Sequence, residues 1–586
     1  MSISDVEKIL LTRLMAPGDS EPLDVYRRAS FGNEDWFNAM LNHHWMPAWP
    51  VLKNAGTPKQ QLMPCFVLGI EDTLESIMET MTRCALIFKY GGSTGINISS
   101  LRPKNSPLSM GGTAAGPLAF MKGFDVLAET ISQSGLRRGG FMIVMDDTHP
   151  DVHDFIKCKD KEGSLANMNI SVRLVDPSES VVIPEIAEHV WKSGEPGVLY
   201  GPALAPYECV NLCGEVPLPP WGVCNLGSVN VAKCFTSDRK PELDVQKLET
   251  ATKGMGTYLD FIIDKNWYIF EEQMKEELSS RRIGVGILGF HELINKLGIM
   301  YEDSVEVAGH ITKVMMETLK QLFPNAKQLM SIAPTGTIHI LCGTTPGIEP
   351  IPARELEVYS PLGNLTVKYN ISGDRVASEI PWKTHVDVQS AFQEDVDGSI
   401  SKTILFKNDV TPHEIEECIN YAGLMGCVGL TMYRVGSRVV EAQNAVITSG
   451  KTLRTETGYG KMFTTLNTYG GKNYECFFTI GRSGSLVQSF TEAIGRLVSL
   501  SLQHNVPLNE ITEQLEGIRS PQQKRDDIIG FNESVPDAIG KALKYLSEVK
   551  LSTRIDVGEC PKCFGPTMIS EGCEHCVKCG WSRCGT

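Results

Sequence analysis

Asn211-Leu-Cys213-Gly-Glu215, followed by Cys224-Asn-Leu-Gly-Ser228, is the stretch on which the reading of this chain turns. In an extended loop, residues i, i+2 and i+4 project to the same side. Asn211, Cys213 and Glu215 are then expected to present an amide, a sulfur and a carboxylate to one small volume. That trio suits chemistry on a polyol: the amide positions hydroxyls, the carboxylate moves a proton, and the sulfur abstracts or attacks. A lone cysteine in a packed loop is more often a small buried hydrophobe, so the segment is weighed against the rest of the chain.

The chain has 586 residues, and 55 Lys+Arg against 70 Asp+Glu give a formal net charge of −15. At roughly 100–200 residues per domain, that length implies several domains or one large domain with appendages. An acidic chain lacks the basic footprint that wraps nucleic acid, although it can bind nucleotides through backbone amides. No apolar run reaches the ~18–20 residues of a membrane span, and the N-terminal MSISDVEKILLTRLM lacks the layout of a secretory signal. The expected compartment is the reducing cytoplasm, with no nucleic-acid or membrane partner. Seventeen cysteines must be explained there, and six of them (Cys560, Cys563, Cys573, Cys576, Cys579, Cys584) fall in the last 27 residues. That density reads as metal binding or thiol chemistry.

Residues 1–445 read as one mixed α/β unit. Apolar residues at three- and four-residue spacing predict helices over 73–89 and 413–425. Short β-type runs appear at 65–70 (CFVLGI) and 141–145 (FMIVM). The 435–460 zone reads as connecting chain, with the linker itself at 446–454. A second, α+β unit over 455–548 opens with strand-like KMFTTLN and YECFFTI around a Tyr-Gly-Gly turn at 469–471. A helix follows over 488–503, then another after Pro507. The Cys-rich segment 549–586 is too short for a core without a staple. Two motifs are discounted. Gly284-Val-Gly286-Ile-Leu-Gly289 fits a dinucleotide fingerprint but follows a charged, helix-like segment, and Gly450-Lys451-Thr452 lacks the first glycine of a phosphate loop.

Several further segments match one family in order. They are Asn54-Ala-Gly-Thr57 with Cys65-Phe-Val-Leu68, Gly91-Gly-Ser-Thr-Gly95 with Leu101-Arg-Pro103, and Gly116-Pro117 with Phe120-Met121 and Phe124-Asp125. Beyond these come Arg137-Arg-Gly139, His149-Pro-Asp151 with Phe155-Ile156, Arg281-Arg-Ile-Gly284, and Ala333-Pro-Thr-Gly-Thr337 with Gly347-Ile-Glu-Pro350. Together they span about 47–440. With them the chain resembles the catalytic subunit of a ribonucleotide reductase, specifically the class II, adenosylcobalamin-dependent type.

The resemblance implies a ten-stranded α/β barrel with Cys213 at the tip of a finger loop inside it. It implies that Cys213 becomes the thiyl radical that takes the 3′-hydrogen of the ribose. Glu215 is then the base for the 3′-hydroxyl, and Asn211 a hydrogen-bond partner of the ribose hydroxyls. Cys65 and Cys224 become the dithiol that reduces C2′ and is left as a transient disulfide. Pro334, Thr335, Gly336 and Thr337 resemble a turn whose amides and hydroxyls hold the substrate phosphates. Gly135, Arg137, Arg138 and Gly139 resemble the loop that links an allosteric specificity site, taking dNTP effectors, to the substrate base. Two positions depart from the family: Trp49 stands where Ser or Thr is usual, and Met63-Pro64 precede the first redox cysteine where a small residue is usual. Diphosphate is favoured over triphosphate as the substrate. The N-terminus leaves no room for an ATP-binding activity domain.

The stretch Gly429-Leu-Thr-Met-Tyr433-Arg434 carries one Tyr where class I subunits carry a pair that relays a radical. The C-terminal Trp581-Ser-Arg-Cys-Gly-Thr586 lacks a glycyl-radical motif. The 455–521 segment resembles a domain appended to class II enzymes. In the tail, two Cys-x2-Cys pairs are a strong zinc signal. In one register Cys560, Cys563, Cys573 and Cys576 hold zinc and leave Cys579 and Cys584 as a redox pair that carries electrons to the barrel dithiol. In the other, Cys560, Cys563, Cys576 and Cys579 form a zinc ribbon. A thioredoxin-like thiol reductant and a homodimer complete the expected partners. Two alternatives stay open here: a class I-type large subunit needing a metal-radical partner, and a catalytically inactive barrel with a zinc-ribbon interaction tail.

Overall fold

The computed structural model describes residues 4–133, 137–161, 163–236, 241–358, 365–369, 371, 373, 375–437, 449–469, 472–480, 486–503, 506–548, 567–570 and 573–576. The chain divides into two units, Met1–Glu441 and Ala442–Thr586.

Alternation along the strand Phe141–Asp146 shows how the first unit is built. Phe141, Ile143 and Met145 join the larger apolar cluster that also takes in the surrounding helices. Met142 and Val144 point the opposite way, into a separate cluster. A strand buried on both faces needs a near-continuous apolar run, as this one has. The eight-stranded sheet to which it belongs runs, in spatial order, Thr403–Phe406, Gly429–Arg434, Gly197–Tyr200, Met168–Leu174, Phe141–Asp146, Ser93–Asn97, Cys65–Val67 and Val223–Cys224. The five strands from Gly197–Tyr200 to Cys65–Val67 are mutually parallel. Parallel neighbours require crossovers, here made by helices such as Leu74–Lys89, Pro117–Thr130 and Ile183–Ser193. A three-stranded sheet pairs Leu226–Asn230 with Trp45–Pro47 and Gly284–Leu288. Only Asn225 separates Val223–Cys224 from Leu226–Asn230, so one short run of chain serves both sheets. Isolated parallel bridges continue from Val285 to Met330 and from Ile332 to Ile400. Among the described residues the ladders do not close into one ten-stranded ring.

The second apolar cluster explains what fills the inner face. It joins Cys65, Val67, Met142, Val144 and Leu199 from the sheet to Leu204, Cys209, Val210, Val216 and Leu218 from the connection beyond it. That connection therefore packs on the sheet rather than running over the outside. Its closest approach is at Gly95, where a β-carbon would fall 2.0 Å from the Val210 carbonyl oxygen. Gly286 admits the carbonyl of Ser331 in the same way, at 2.5 Å from a β-carbon. Close backbone packing thus accounts for glycines in the discounted Gly284–Gly289 motif. The motif itself is a strand, Gly284–Leu288, preceded as expected by a helix, Glu271–Ser280.

In the second unit three antiparallel strands, Ser449–Thr457, Gly460–Tyr469 and Lys472–Ile480, form a meander. One face buries Leu453, Met462, Leu466, Cys476, Phe478 and Ile480 against Val498, Leu502 and the helix Val535–Glu548. The first strand corrects the reading of 446–454 as linker. Its inward residues are Leu453, Thr455 and Thr457, and two threonines leave too weak an apolar alternation to mark a strand. Gly450-Lys451-Thr452 lies in that strand. Helices Leu486–Gln503 and Leu508–Leu515 fall where the apolar spacing and Pro507 put them. Gly470 and Gly471 of the expected turn lie outside the described residues. In the tail, Thr567–Ser570 pairs antiparallel with Cys573–Cys576. Cys560, Cys563, Cys579 and Cys584 lie outside the described residues.

Gly95→Ala tests the inward packing. Overpacking typically costs about 1–3 kcal/mol, and here the clash is with backbone, so a loss at the top of that range is expected in denaturant unfolding. Gly309→Ala, where a β-carbon meets only the Ala391 carbonyl at 3.9 Å, is the control and should be neutral or stabilising.

Candidate active site

The connection on the inner face carries Cys213. Its two sides are joined by an isolated antiparallel bridge between Val210 and Pro217. The Asn211 amide donates to the Val216 carbonyl at 3.1 Å, and Gly214, at φ +83°, donates to the Asn211 carbonyl at 3.1 Å. The loop is therefore a tight turn, which corrects the expectation of an extended run. The reason is Gly214, which takes the left-handed conformation that closes the turn. Neighbours fix the tip: Asn169 Nδ2 donates to the Leu212 carbonyl at 3.0 Å, and the Ser399 amide donates to the Glu215 carbonyl at 2.9 Å.

The turn separates the trio. Cys213 and Glu215 line a cavity of about 410 Å³. Asn211 is fully buried behind them, with its Oδ1 accepting the Val216 amide at 3.0 Å. Its Nδ2 has no hydrogen-bond partner among the described residues. That is a costly position for a buried donor.

The same cavity is lined by Cys65, by Trp49, and by Pro334, Thr335, Gly336 and Thr337. Three segments distant in sequence thus meet around one volume. Cys65 lies directly opposite Cys224 in the antiparallel pair of Cys65–Val67 with Val223–Cys224. Residues paired in this way sit about 4.5–5.5 Å apart at Cα, inside the roughly 4.4–6.8 Å range that a disulfide spans. No disulfide joins them in this structure. Burial pushes the Cys224 thiol well above the ordinary range, and the Cys65 sulfur beside it adds to the effect. Cys65 Sγ also lies 3.6 Å from the Ser93 hydroxyl, a neighbour inside the quoted Gly91–Gly95 stretch that had been given no role.

The 334–337 turn is held in an uncommon shape. Thr335 has φ +52°, a strained conformation for a β-branched residue, costing on the order of 1–3 kcal/mol. Its hydroxyl accepts the Gly347 amide at 2.7 Å, and its carbonyl meets His339 Nδ1 at 2.9 Å. His339 Nε2 is 3.0 Å from the Tyr369 hydroxyl. These partners suit a neutral ring that donates from Nδ1 and accepts at Nε2. Behind the turn, the Glu349 carboxylate accepts from buried Lys402 at 2.6 Å and from the Thr403 amide at 2.6 Å. Lys402 also contacts His385 Nδ1 at 2.9 Å.

Cys213 borders a second cavity, of about 300 Å³, which shares no other residue with the first. Its polar lining includes Asn169, Ser171, Glu195, Thr403, Thr431 and Tyr433. Of the expected specificity loop, Arg137 and Arg138 form a short strand paired with Ser132–Gln133. Gly139 is buried, with a β-carbon there meeting the Phe88 ring at 2.5 Å. Gly135 lies outside the described residues. Among the described residues, no group of three or more His, Cys, Asp or Glu is placed to hold a metal, and no helix is long and apolar enough to cross a membrane.

The chain resembles known proteins over most of its length. Residues 63–178 and 180–322 match the ribonucleotide reductase barrel domain, and residues 433–547 match the TSCPD domain. A vitamin B12-dependent ribonucleoside-diphosphate reductase of Thermoplasma acidophilum is 32% identical over 504 residues, covering 69% of this chain and 65% of that protein. One from Mycobacterium tuberculosis is 30% identical, covering 69% of this chain and 72% of its own length. A vitamin B12-dependent ribonucleotide reductase of Rhodopirellula baltica is 22% identical, covering 85% of this chain and 68% of that protein.

The turn gives a pH test. Burial holds the His339 imidazole down at about 4, against 6.5 ordinarily, with the Thr335 carbonyl pulling it upward. The unfolded chain therefore takes up the proton first, so stability falls as pH drops from about 6.5 toward 4. Between pH 7.5 and pH 5 the wild type should lose about 2 kcal/mol more unfolding free energy than His339→Gln. Equal losses would mean that the ring is hydrated or already charged.

Proposed function

The chain belongs to the vitamin B12-dependent ribonucleotide reductases, and from that membership we propose that it reduces ribonucleotides to 2′-deoxyribonucleotides by radical chemistry centred on Cys213. The observation that carries the reading is the single cavity lined by Cys213, Glu215, Cys65 and the 334–337 turn, with Cys224 opposite Cys65. In this reading the Cys213 thiyl takes the hydrogen from C3′ and returns it at the end of the cycle. Glu215 holds the 3′-hydroxyl proton, and Asn211, buried behind the cavity, braces the turn that presents Cys213 and Glu215 by accepting the Val216 amide. Cys65 and Cys224 each give a hydrogen equivalent. The 2′-hydroxyl leaves as water, C2′ gains hydrogen, and one sulfur–sulfur bond forms. The 334–337 turn receives the phosphates, and relatives named for diphosphates support a ribonucleoside diphosphate as substrate.

We assign the second cavity, of about 300 Å³, to the nucleoside end of adenosylcobalamin by its position alone, since it is too small for the corrin. A radical initiator must reach the Cys213 sulfur without crossing the substrate, and among the described residues the two cavities share Cys213 alone. Asn169, Ser171, Glu195, Thr403 and Thr431 offer donors and acceptors for the nucleoside part of the cofactor. When bound, the cofactor supplies the one-electron oxidant for the Cys213 thiol. Asn169 keeps that sulfur in place through the Leu212 carbonyl.

We read the first unit as a ten-stranded ring. The segment 330–332 stands between Gly284–Leu288 and the chain entering Thr403–Phe406, bridged on both sides. Counted with it, the eleven named strands of the two sheets give ten positions, because Val223–Cys224 continues Leu226–Asn230 and Trp45–Pro47 lies outside the ring. The finer assignments are proposals of the same kind: residues 1–445 as catalytic barrel, 455–548 together with the strand Ser449–Thr457 as appended domain, and 549–586 as zinc-binding redox tail. A thioredoxin-like reductant, dNTP effectors acting through 135–139, a homodimer and a cytoplasmic location belong with them.

The test is anaerobic assay of the purified chain with adenosylcobalamin, a ribonucleoside diphosphate and a small dithiol. Turnover is expected without oxygen or a second subunit, and equal turnover without cobalamin would sink the assignment. Cys213→Ser should abolish product and hydrogen exchange with the cofactor. Cys65→Ser and Cys224→Ser should block reduction but retain exchange. Truncation at residue 550 should keep the first turnover, slow multiple turnover with a protein reductant, and remove about one bound zinc. Full steady-state activity of the truncated chain would make the tail structural.

A further inference from the structure

We propose that Glu277, braced by Arg282, is a positioning residue that fixes the backbone just before Cys224, while Gly284 holds the residue just after it, and so sets how readily Cys65 and Cys224 close into a disulfide. The inference rests on the reading of those two cysteines as the reducing pair.

Val223–Cys224 is the last strand of the eight-stranded sheet. Its inner edge is paired with Cys65–Val67, so its outer edge has no strand to take the Val223 amide. A buried amide must find an acceptor. It finds the carboxylate of Glu277 at 2.8 Å. Glu277 lies in the helix Glu271–Ser280 and is fully buried. A carboxylate is an unusual choice for that task, because a main-chain carbonyl satisfies an amide without burying a charge. Burial pushes the Glu277 carboxyl up to about 7, and Arg282 and the Val223 amide work against that rise. Arg282 Nη1 lies 3.3 Å from Glu277 Oε1, 3.4 Å from Glu276 Oε1 and 3.2 Å from the Ser280 hydroxyl.

The other flank of Cys224 is held by the same stretch of chain. The helix ends at Arg281, with φ +43°. The chain then turns back, and the Gly284 amide donates to the Asn225 carbonyl at 2.8 Å. A β-carbon at Gly284 would meet the Leu226 side chain at 2.6 Å, so a side chain there would push against this bracket. Residues 277–284 therefore grip the residue before Cys224 by its N–H and the residue after it by its C=O. Arg281-Arg-Ile-Gly284, one of the motifs that marks the family resemblance, acquires a role in this way.

In the reaction two S–H groups become one S–S bond, and two hydrogens pass to the substrate. Only the sulfurs need move if the backbones are already at disulfide spacing. A loose Val223–Cys224 edge lowers the effective concentration of one thiol at the other, and the equilibrium shifts toward the open dithiol.

The experiment compares the full chain carrying Glu277→Ala, Glu277→Gln and Arg282→Met with wild type. Two quantities are read: the thiol–disulfide equilibrium of Cys65 and Cys224 against dithiothreitol, by mass-spectrometric alkylation, and the single-turnover rate with a ribonucleoside diphosphate. Glu277→Ala should shift the equilibrium about tenfold toward the dithiol, ~30 mV for this two-electron couple, and slow the single turnover with unchanged KM. Glu277→Gln keeps an acceptor for the Val223 amide and should stay within about twofold of wild type. Arg282→Met should lie between them. A Glu277→Ala protein with a lowered melting temperature but wild-type equilibrium and rate overturns the proposal, because the group is then only structural. If Glu277→Ala does not fold, a folded Arg282→Met with wild-type equilibrium overturns it instead. If wild type forms no Cys65–Cys224 disulfide on turnover, the dithiol reading itself fails and takes this inference with it.

Discussion

The arrangement depends on one backbone contact, the Val210 carbonyl lying against Gly95. A carbonyl reaches the concave side of a strand that closely only where no side chain stands, and a β-carbon at Gly95 would sit 2.0 Å from the oxygen. This contact lets the 209–218 connection enter the inner face of the sheet and pack with Cys65, Val67, Met142 and Val144. From there the rest follows. Cys213 is carried to the point where two cavities meet, and Glu215 is turned toward the one that also holds Cys65 and the 334–337 turn. The turn at 211–216 that carries the sulfur is internally hydrogen-bonded.

Much of this was legible in the sequence. Helices 73–89 and 413–425 carry strong three- and four-residue apolar spacing, and they stand as Leu74–Lys89 and Pro412–Leu424. The run at 141–145 is apolar at every position because both faces of its strand are covered. The strand Ser449–Thr457 was missed because its inward threonines carry no apolar signal, and its pairing is set by the neighbouring strand rather than by its own residues. In the site, spacing brought out Cys213 and Glu215, but the i, i+2, i+4 rule assumed an extended backbone. Gly214 breaks that rule by closing a turn, and so Asn211 is buried behind the cavity. The contacts of Asn169, Ser399 and Glu277 were not legible at all. Each acts on a main-chain group far away in sequence, and main-chain partners leave no residue-type signature.

Placement, rather than burial, separates the thiols proposed to do chemistry from the others, since Cys224 is buried as deeply as any of them but lies opposite Cys65. Burial pushes the thiols of Cys84, Cys209 and Cys234 up to about 12, which disfavours thiolate chemistry there. None of these three lines the cavity that holds Cys65 and Cys213. Sequence alone cannot make this division, because the distinction is one of surroundings.

In the proposed mechanism the same burial serves the Cys65–Cys224 pair in a different way. Cys224 is held as a neutral thiol, since burial and the neighbouring Cys65 sulfur both oppose its ionisation. A thiolate would be the better nucleophile, but nucleophilic attack is not the step required. Reduction at C2′ needs hydrogen delivered as proton and electron together, and a neutral thiol beside a second one carries both. A charged sulfur here would also lie in the apolar inner cluster, where an unpaired charge is costly. The antiparallel pairing therefore does two jobs with one geometry. It sets the two backbones at the spacing a disulfide spans, and it buries Cys224 so that its thiol stays neutral until, in the proposed reaction, the substrate radical draws on it.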